Sequence, residues 1–163
     1  DWFIATEVDV DRRLIKKLDN KPCVDVIKQI VGHNDLESQF LSNPFGLVLN
    51  DDMYIVSGKQ VHSDGIEYYS NIYKNATLCR VKLGDYRAIS QETVENILKD
   101  IHRTSGTLAI NCILRTIQFE NENFSNSFAR NLSRLGDFVG FSSFGEQIHY
   151  RHCNQTLVLA VFE

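Results

Sequence analysis

The apolar residues of this chain change their period several times, and each change marks an element. Trp2-Phe3-Ile4-Ala5-Thr6-Glu7-Val8 is rich in aromatic and β-branched side chains, the composition of a strand, and Arg13 to Leu18 is placed to pair with it as a hairpin. Beyond Pro22 the spacing lengthens: Val24, Ile27, Ile30 and Val31 recur at helical intervals, and Gly32 supplies the stop. Gly46 to Leu49 and Met53 to Val56 flank Asn50-Asp51-Asp52, residue types that tolerate a tight turn, so this stretch predicts a β-hairpin. Strands are expected at Ile66 to Ser70 and at Thr77 to Leu83. In the latter, Thr77, Cys79, Val81 and Leu83 alternate with Leu78, Arg80 and Lys82, a period of two with one face largely wet.

The second half opens with a helix from about Ser90 to Arg103. Ser90 is the expected cap, Ile89 and Val94 the hydrophobic staple, and Val94, Ile97, Leu98 and Ile101 one apolar stripe. Thr107 to Leu114 is apolar on both faces and predicts a central strand covered on both sides. Phe124, Phe128 and Leu132 give another amphipathic helix, closing near Gly136, and strands follow at Phe138 to Ser143 and Leu157 to Phe162. Long β stretches interrupted by about three to four helices predict an α+β fold with a mixed, largely antiparallel sheet. No repeat, low-complexity tract or linker interrupts the pattern, so residues 1–163 read as a single domain.

Composition narrows the classes of partner. The net charge of −4, without a dense Lys/Arg block, lacks the electrostatic footprint that phosphate-backbone binding requires, so nucleic acid is not an expected partner. No apolar run approaches the roughly 20 residues of a membrane span, and the N-terminus has neither a basic nor an apolar leader region. Cys23, Cys79, Cys112 and Cys153 are scattered without CxxC spacing, which fits reduced thiols and a cytoplasmic location. The sequons at Asn75 and Asn154 carry meaning only in a secreted chain. Opening at Asp1 and ending at Glu163 straight after an apolar run, the sequence is expected to be a piece of a longer protein whose neighbours hold the output function.

Three groups of residues could carry chemistry. Glu146, His149, His152 and Cys153 are metal-ligand types within eight residues, but an extended or turning backbone would aim the two histidines at opposite faces, and a polar hairpin turn is the expected reading. Cys112 sits in apolar company, where a thiolate nucleophile would need a neighbouring base or positive field, and a structural role is expected. Neither a nucleophile elbow nor a phosphate-cradling glycine loop nor a dinucleotide fingerprint occurs, so no enzyme activity and no cofactor are expected. Arg115 closes an otherwise apolar stretch. It could clamp a ligand carboxylate or phosphate bidentately, or pair locally with Glu120 or Glu122.

Gly140-Phe141-Ser142-Ser143-Phe144-Gly145-Glu146 resembles the Gly-Phe-x-Thr-Tyr-Gly-Glu stretch near the end of FIST C domains, and Asn154-Gln155-Thr156-Leu157 resembles the segment that opens their last strand. Asn111-Cys112-Ile113-Leu114-Arg115 is similar to the family's Cys-x-Gly-Arg pattern, and Pro44-Phe45-Gly46-Leu47 to Ile55-Val56 to its early hairpin, so the resemblance spans nearly the whole chain. Leu114 departs from the usual Gly, Ser142 and Ser143 from an aromatic and Thr pair, and Cys153 from a His. The resemblance implies a sensory input domain of an intracellular signal-transduction protein, preceded by a FIST N domain and joined to a signalling output. Its implied ligand is a small molecule such as an amino acid, and its implied ligand-binding positions are Cys112, Arg115, Ser142, Gly145, Glu146, Asn154 and Thr156. Gly140 and Gly145 would allow close backbone approach, and Arg115 with Glu146 would suit a zwitterion or form a buried salt bridge. The competing expectations are an interaction or homodimerisation module, using Thr77 to Leu83 or exposed Tyr68 and Tyr69, and an enzyme with a site at Cys112.

Overall fold

The computed structural model describes residues 1–32, 35–148 and 150–163. In chain order it begins with β1 (Trp2–Asp9), β2 (Leu14–Leu18) and β3 (Lys21–Pro22), then α1 (Cys23–Val31) and α2 (Leu36–Gln39). Five strands follow: β4 (Phe45–Leu49), β5 (Asp52–Val56), β6 (Gly58–His62), β7 (Gly65–Tyr68) and β8 (Thr77–Arg80). Next come α3 (Tyr86–Asp100), β9 (Gly106–Cys112), α4 (Ile113–Asn121), α5 (Ser125–Leu132), a 3-10 turn over Ser133–Leu135 and β10 (Phe138–Ser143). The chain closes with β11 (Glu146–Ile148), β12 (Arg151–Cys153) and β13 (Leu157–Phe162). The result is an α+β fold in which β9–β10 is the parallel pairing and the other registers described are antiparallel.

Two compact units are formed, Asp1–Lys82 with Gln147–Asn154, and Leu83–Glu146 with Gln155–Glu163. In the first, strands run in the order β5-β4-β8-β1-β2-β7-β6, with β3 beside β2. β1 changes partner along its length: Trp2, Phe3 and Ile4 pair with β8, whereas Ala5 to Asp9 pair with β2 across register shifts around Glu7. Tight turns follow from the local sequence. Leu49 pairs with Asp52 and Leu18 with Lys21, leaving Asn50-Asp51 and Asp19-Asn20 as two-residue loops with φ of 50° and 70°, and 49° and 63°. Asn and Asp enter this left-handed region more cheaply than other residues with side chains, which sets both hairpin registers.

α1 covers part of this sheet because Cys23, Val26 and Ile27 share one face, and Gly32 donates its N–H to the Lys28 carbonyl to end the helix as expected. The core of the unit joins these residues to Ile15, Leu18, Phe45, Val56, Ile66 and Leu78. β8 lies between β4 and β1, so both Leu78 and Cys79 are buried, in place of the expected wet face. Tyr68 is buried as well, which removes it and the β8 ladder from the candidate association surfaces.

The second unit is a three-stranded sheet, β10-β9-β13, with α4 and α5 forming the crossover that a parallel β9–β10 pair requires. Its core joins Val94, Ala109, Leu132 and Leu135, with Ile97, Leu98 and Phe128 packed against them. α3 starts earlier than expected: Asp85 caps it, accepting from the Arg87 and Ala88 N–H groups at 2.9 and 3.3 Å, while Ser90 lies inside the helix and Ile89 is exposed. The central strand also ends early, at Cys112, and the chain turns directly into α4. Among the described residues no helix is long and apolar enough to cross a membrane.

Candidate functional site

The site in the second unit is built where β9 and β10 run side by side and β9 gives way to α4. Gly140 faces Ala109 across the parallel ladder, and a Cβ on it would lie 2.4 Å from the Ala109 carbonyl oxygen. Backbone is the obstacle, so this position requires glycine. The close approach leaves a small cleft of about 210 Å³ next to the strand pair. Phe119, Phe128, Phe138 and Phe141 contribute its aromatic walls, and Asn111, Thr116, Ser125 and Ser142 its polar groups.

Three of these polar groups, Asn111, Thr116 and Ser142, form one network. Asn111 Nδ2 donates to Thr116 Oγ1 at 2.9 Å, Thr116 Oγ1 and Ser142 Oγ lie 2.8 Å apart, and Arg115 Nε donates to Asn111 Oδ1 at 3.0 Å. Arg115 therefore lies in the first turn of α4, a correction to its expected place at the end of a strand. Ile113, Leu114 and Ile117 continue the apolar run of β9 into this helix, which hid the boundary. The guanidinium stands 5.1 Å from the Phe119 ring centroid and 6.0 Å from that of Phe128. Burial lowers its pKa, opposed by nearby Cys112 and Glu146, but a guanidinium remains cationic at neutral pH. Among the described residues it has no carboxylate in an ion pair. Glu122 instead holds Arg87 at 3.2 Å and accepts from the Tyr86 hydroxyl. Arg115 does not line the cleft; it buttresses Asn111 and two of the rings that do.

Glu146 is buried, and its carboxylate is held by hydroxyls: Ser143 Oγ donates to Oε1, and Thr156 Oγ1 donates to Oε2 at 2.5 Å. Arg115 and Glu146 form no salt bridge with each other; each has its own neutral partners. Gly145 precedes the glutamate with φ of 156°. Cys112 is fully buried at the start of α4, and desolvation raises its thiol pKa although backbone N–H groups of Gln155, Leu114 and Arg115 oppose the shift. That is the opposite of what an activated thiolate needs. Asn154 belongs to the first unit, where its Oδ1 accepts from Ser57 N–H at 3.4 Å and Ser70 Oγ at 3.2 Å.

Of the seven positions implied by resemblance, Ser142 lines the cleft and Arg115 supports it. Glu146 and Thr156 form a separate bonded pair, joined by neighbouring Ser143. Asn111 and Thr116 were missed. An amide inside the apolar stretch Leu108 to Leu114 was the available signal for Asn111, whereas Thr116 carries no sequence signal of its own. The Glu146-to-Cys153 cluster folds as the β11–β12 hairpin, and His149 lies outside the described residues. Among the described residues no group of three His, Cys, Asp or Glu side chains is arranged to hold a metal ion.

The fold is α+β, with a glycine-dependent parallel strand pair and a small aromatic cleft in its second unit. The model of the FIST C domain matches residues 23–149, and the chain belongs to that family of signal-transduction, sensory-type domains. The match includes the strand-end, hairpin and glycine-acid motifs and stops short of Asn154-Gln155-Thr156. No curated protein and no solved structure matches the chain.

Proposed function

We propose that residues 1–163 act as one cytoplasmic sensory input domain that binds a small metabolite, an amino acid or a relative of one, in the β9–β10 cleft. A FIST N-like domain precedes it and a signalling output domain reads its ligand state. The observation that carries this reading is the cleft itself, with about 210 Å³ between aromatic walls and three convergent polar side chains. Such a volume suits a molecule of amino-acid size, below the roughly 300–1,000 Å³ of sites for larger ligands. Asn111, Thr116 and Ser142 would hold the ligand's polar end, and Arg115 would fix Asn111 while placing positive potential behind it. The buried carboxylate of Glu146 would keep the β10–β11 turn in shape.

A thermal-shift screen against amino acids and small carboxylates tests this. A ligand at 100 times its Kd should raise Tm by about 5–10 °C. Thr116→Val and Ser142→Ala should reduce the rise, and Arg115→Ala should reduce it while the domain stays folded. A flat screen on the folded protein would sink the reading. A second reading would then take over, a self-association module using β10. That strand is an edge of its sheet, and Val139 and Phe141 on it and Phe144 just beyond are 69%, 58% and 81% exposed. Light scattering on Val139→Lys would check that alternative.

A further inference from the structure

A second, larger cavity lies wholly within the first unit, and its chemistry is different. It has a volume of about 570 Å³, with Leu47, Leu49 and Ala76 among its apolar lining, and it carries the cations Arg13, Lys74 and Arg151 with no Asp or Glu. The chain as a whole carries a net charge of −4, so a cavity with three cations and no acid runs against the average surface. Among the described residues, the side chains of Lys74 and Arg151 make no ion pair and no hydrogen bond. Arg13 has Glu67 at 3.7 Å, but that carboxylate is shared with Lys59 at 2.6 Å and His62 at 3.1 Å.

The segment that follows Arg151 is tied down by buried bonds. Asn154 is 1% exposed; its N–H donates to the Ile55 carbonyl at 3.1 Å, and its Oδ1 takes the Ser57 N–H and the hydroxyl of Ser70, a buried cavity-lining residue. With Oδ1 so assigned, Nδ2 is the donor to His152 Nε2 at 3.2 Å, which leaves His152 Nδ1–H as a donor next to Arg151. Four tyrosines complete the lining, Tyr54, Tyr69, Tyr73 and Tyr150. Tyr150 is held at φ 71°, a costly conformation for a bulky residue, and its ring is almost wholly exposed.

We propose that this cavity is a site for a small aromatic phosphate, a planar ring bearing a phosphate monoester. The ring lies against the tyrosines and the apolar lining, and the dianion is met by Lys74, Arg151 and Arg13. Two cations that make no ion pair or hydrogen bond among the described residues match two negative charges, and arginine donates bidentately to phosphate oxygens. The volume falls in the range of sites for ring-containing ligands. This site is distinct from the β9–β10 cleft in residues, charge and size.

Isothermal titration calorimetry with phenyl phosphate and adenosine monophosphate tests the proposal, with inorganic phosphate, adenosine and benzoate as comparisons. Both aromatic phosphates should bind, at least about tenfold more tightly than adenosine, inorganic phosphate or benzoate, with affinity falling as salt rises. The double variant Lys74→Gln, Arg151→Gln should lose at least about tenfold in affinity. Both side chains are exposed and unbonded, so its Tm should stay within about 2 °C of the parent. Arg115→Ala should leave these affinities unchanged, which separates this site from the cleft. Absence of heat with either aromatic phosphate at millimolar concentration, equal binding of adenosine, or undiminished binding by the double variant would each overturn the proposal.

Discussion

The two units handle charge in opposite ways. In the second, the ionisable groups nearest the cleft are turned into the structure: Glu146 is held by two hydroxyls, and Arg115 by Asn111 and two aromatic rings. In the first, Lys74 and Arg151 stand without an ion pair among the described residues around a cavity more than twice as large, while buried Ser70 donates to buried Asn154. A charged group committed to protein partners supports the shape of a site, and a cation left without one is available to a ligand. Counting charged residues in the sequence cannot separate these two cases.

The largest expected effect on this contrast comes from Phe119→Ala. Phe119 is 2% exposed, its ring centroid lies 5.0–5.1 Å from those of Phe128, Phe124 and Tyr86, and it carries the Arg115 guanidinium. Its removal should cost about 3–5 kcal/mol in urea unfolding. Hydrogen exchange should show lost protection in α3, α4 and β9 while β2 and β7 keep theirs. Equal loss in both units would mean that they unfold as one cooperative body and would erase the distinction.

Glu146→Ala comes next. It strands the Ser143 and Thr156 hydroxyls and should cost about 2–3 kcal/mol, whereas Glu146→Gln, which keeps one acceptor, should cost about 1 kcal/mol by the same measurement. Equal small losses would show that the carboxylate is not a structural support.

Cys23 tests the first unit through pH. Burial pushes its thiol from 9.0 up to about 12. A thiol pKa raised on folding adds stability that is complete below pH 9 and is lost as pH rises towards 12, at about 1.4 kcal/mol per pH unit. Between pH 9 and about pH 10.5 the parent should therefore lose about 2 kcal/mol more than Cys23→Ala. The variant should retain a slope of the same sign, because burial also raises the Tyr68 hydroxyl and the Cys112 thiol. Identical slopes in parent and variant would show that the Cys23 thiol reaches solvent. The smallest effect is expected at Asp85→Ala, which removes the cap of α3 and should cost about 1 kcal/mol, with faster exchange at Arg87 and Ala88.

Much of the fold was legible. The strands at Phe138 to Ser143 and Leu157 to Phe162 have the bounds that their apolar runs predicted, and α5 carries the expected face, whereas α1 buries Cys23 and Val26 beside the expected Ile27. What misled was continuity of apolar character. Thr107 to Leu114 reads as one strand, yet the chain switches to helix at Ile113, because β-branched residues fit either backbone when both are buried. The candidate site was read from the family motifs, which supplied Ser142 and Arg115; Asn111 was overlooked although it is an amide in an apolar stretch, and Thr116 carries no signal of its own.

By itself the sequence determined local matters: where the backbone turns, which faces are apolar, and membership of the FIST C family, whose motifs survive in order along the chain. These depend on neighbours a few residues apart, through φ preferences and periodicity. Only the tertiary structure decided which polar groups are satisfied. Asn154 meets residues 84 and 97 positions away, and Arg13, Lys74 and Arg151 come together around one cavity from three distant segments. Whether a charge is bonded or free depends on such long-range meetings, which one-dimensional order does not contain.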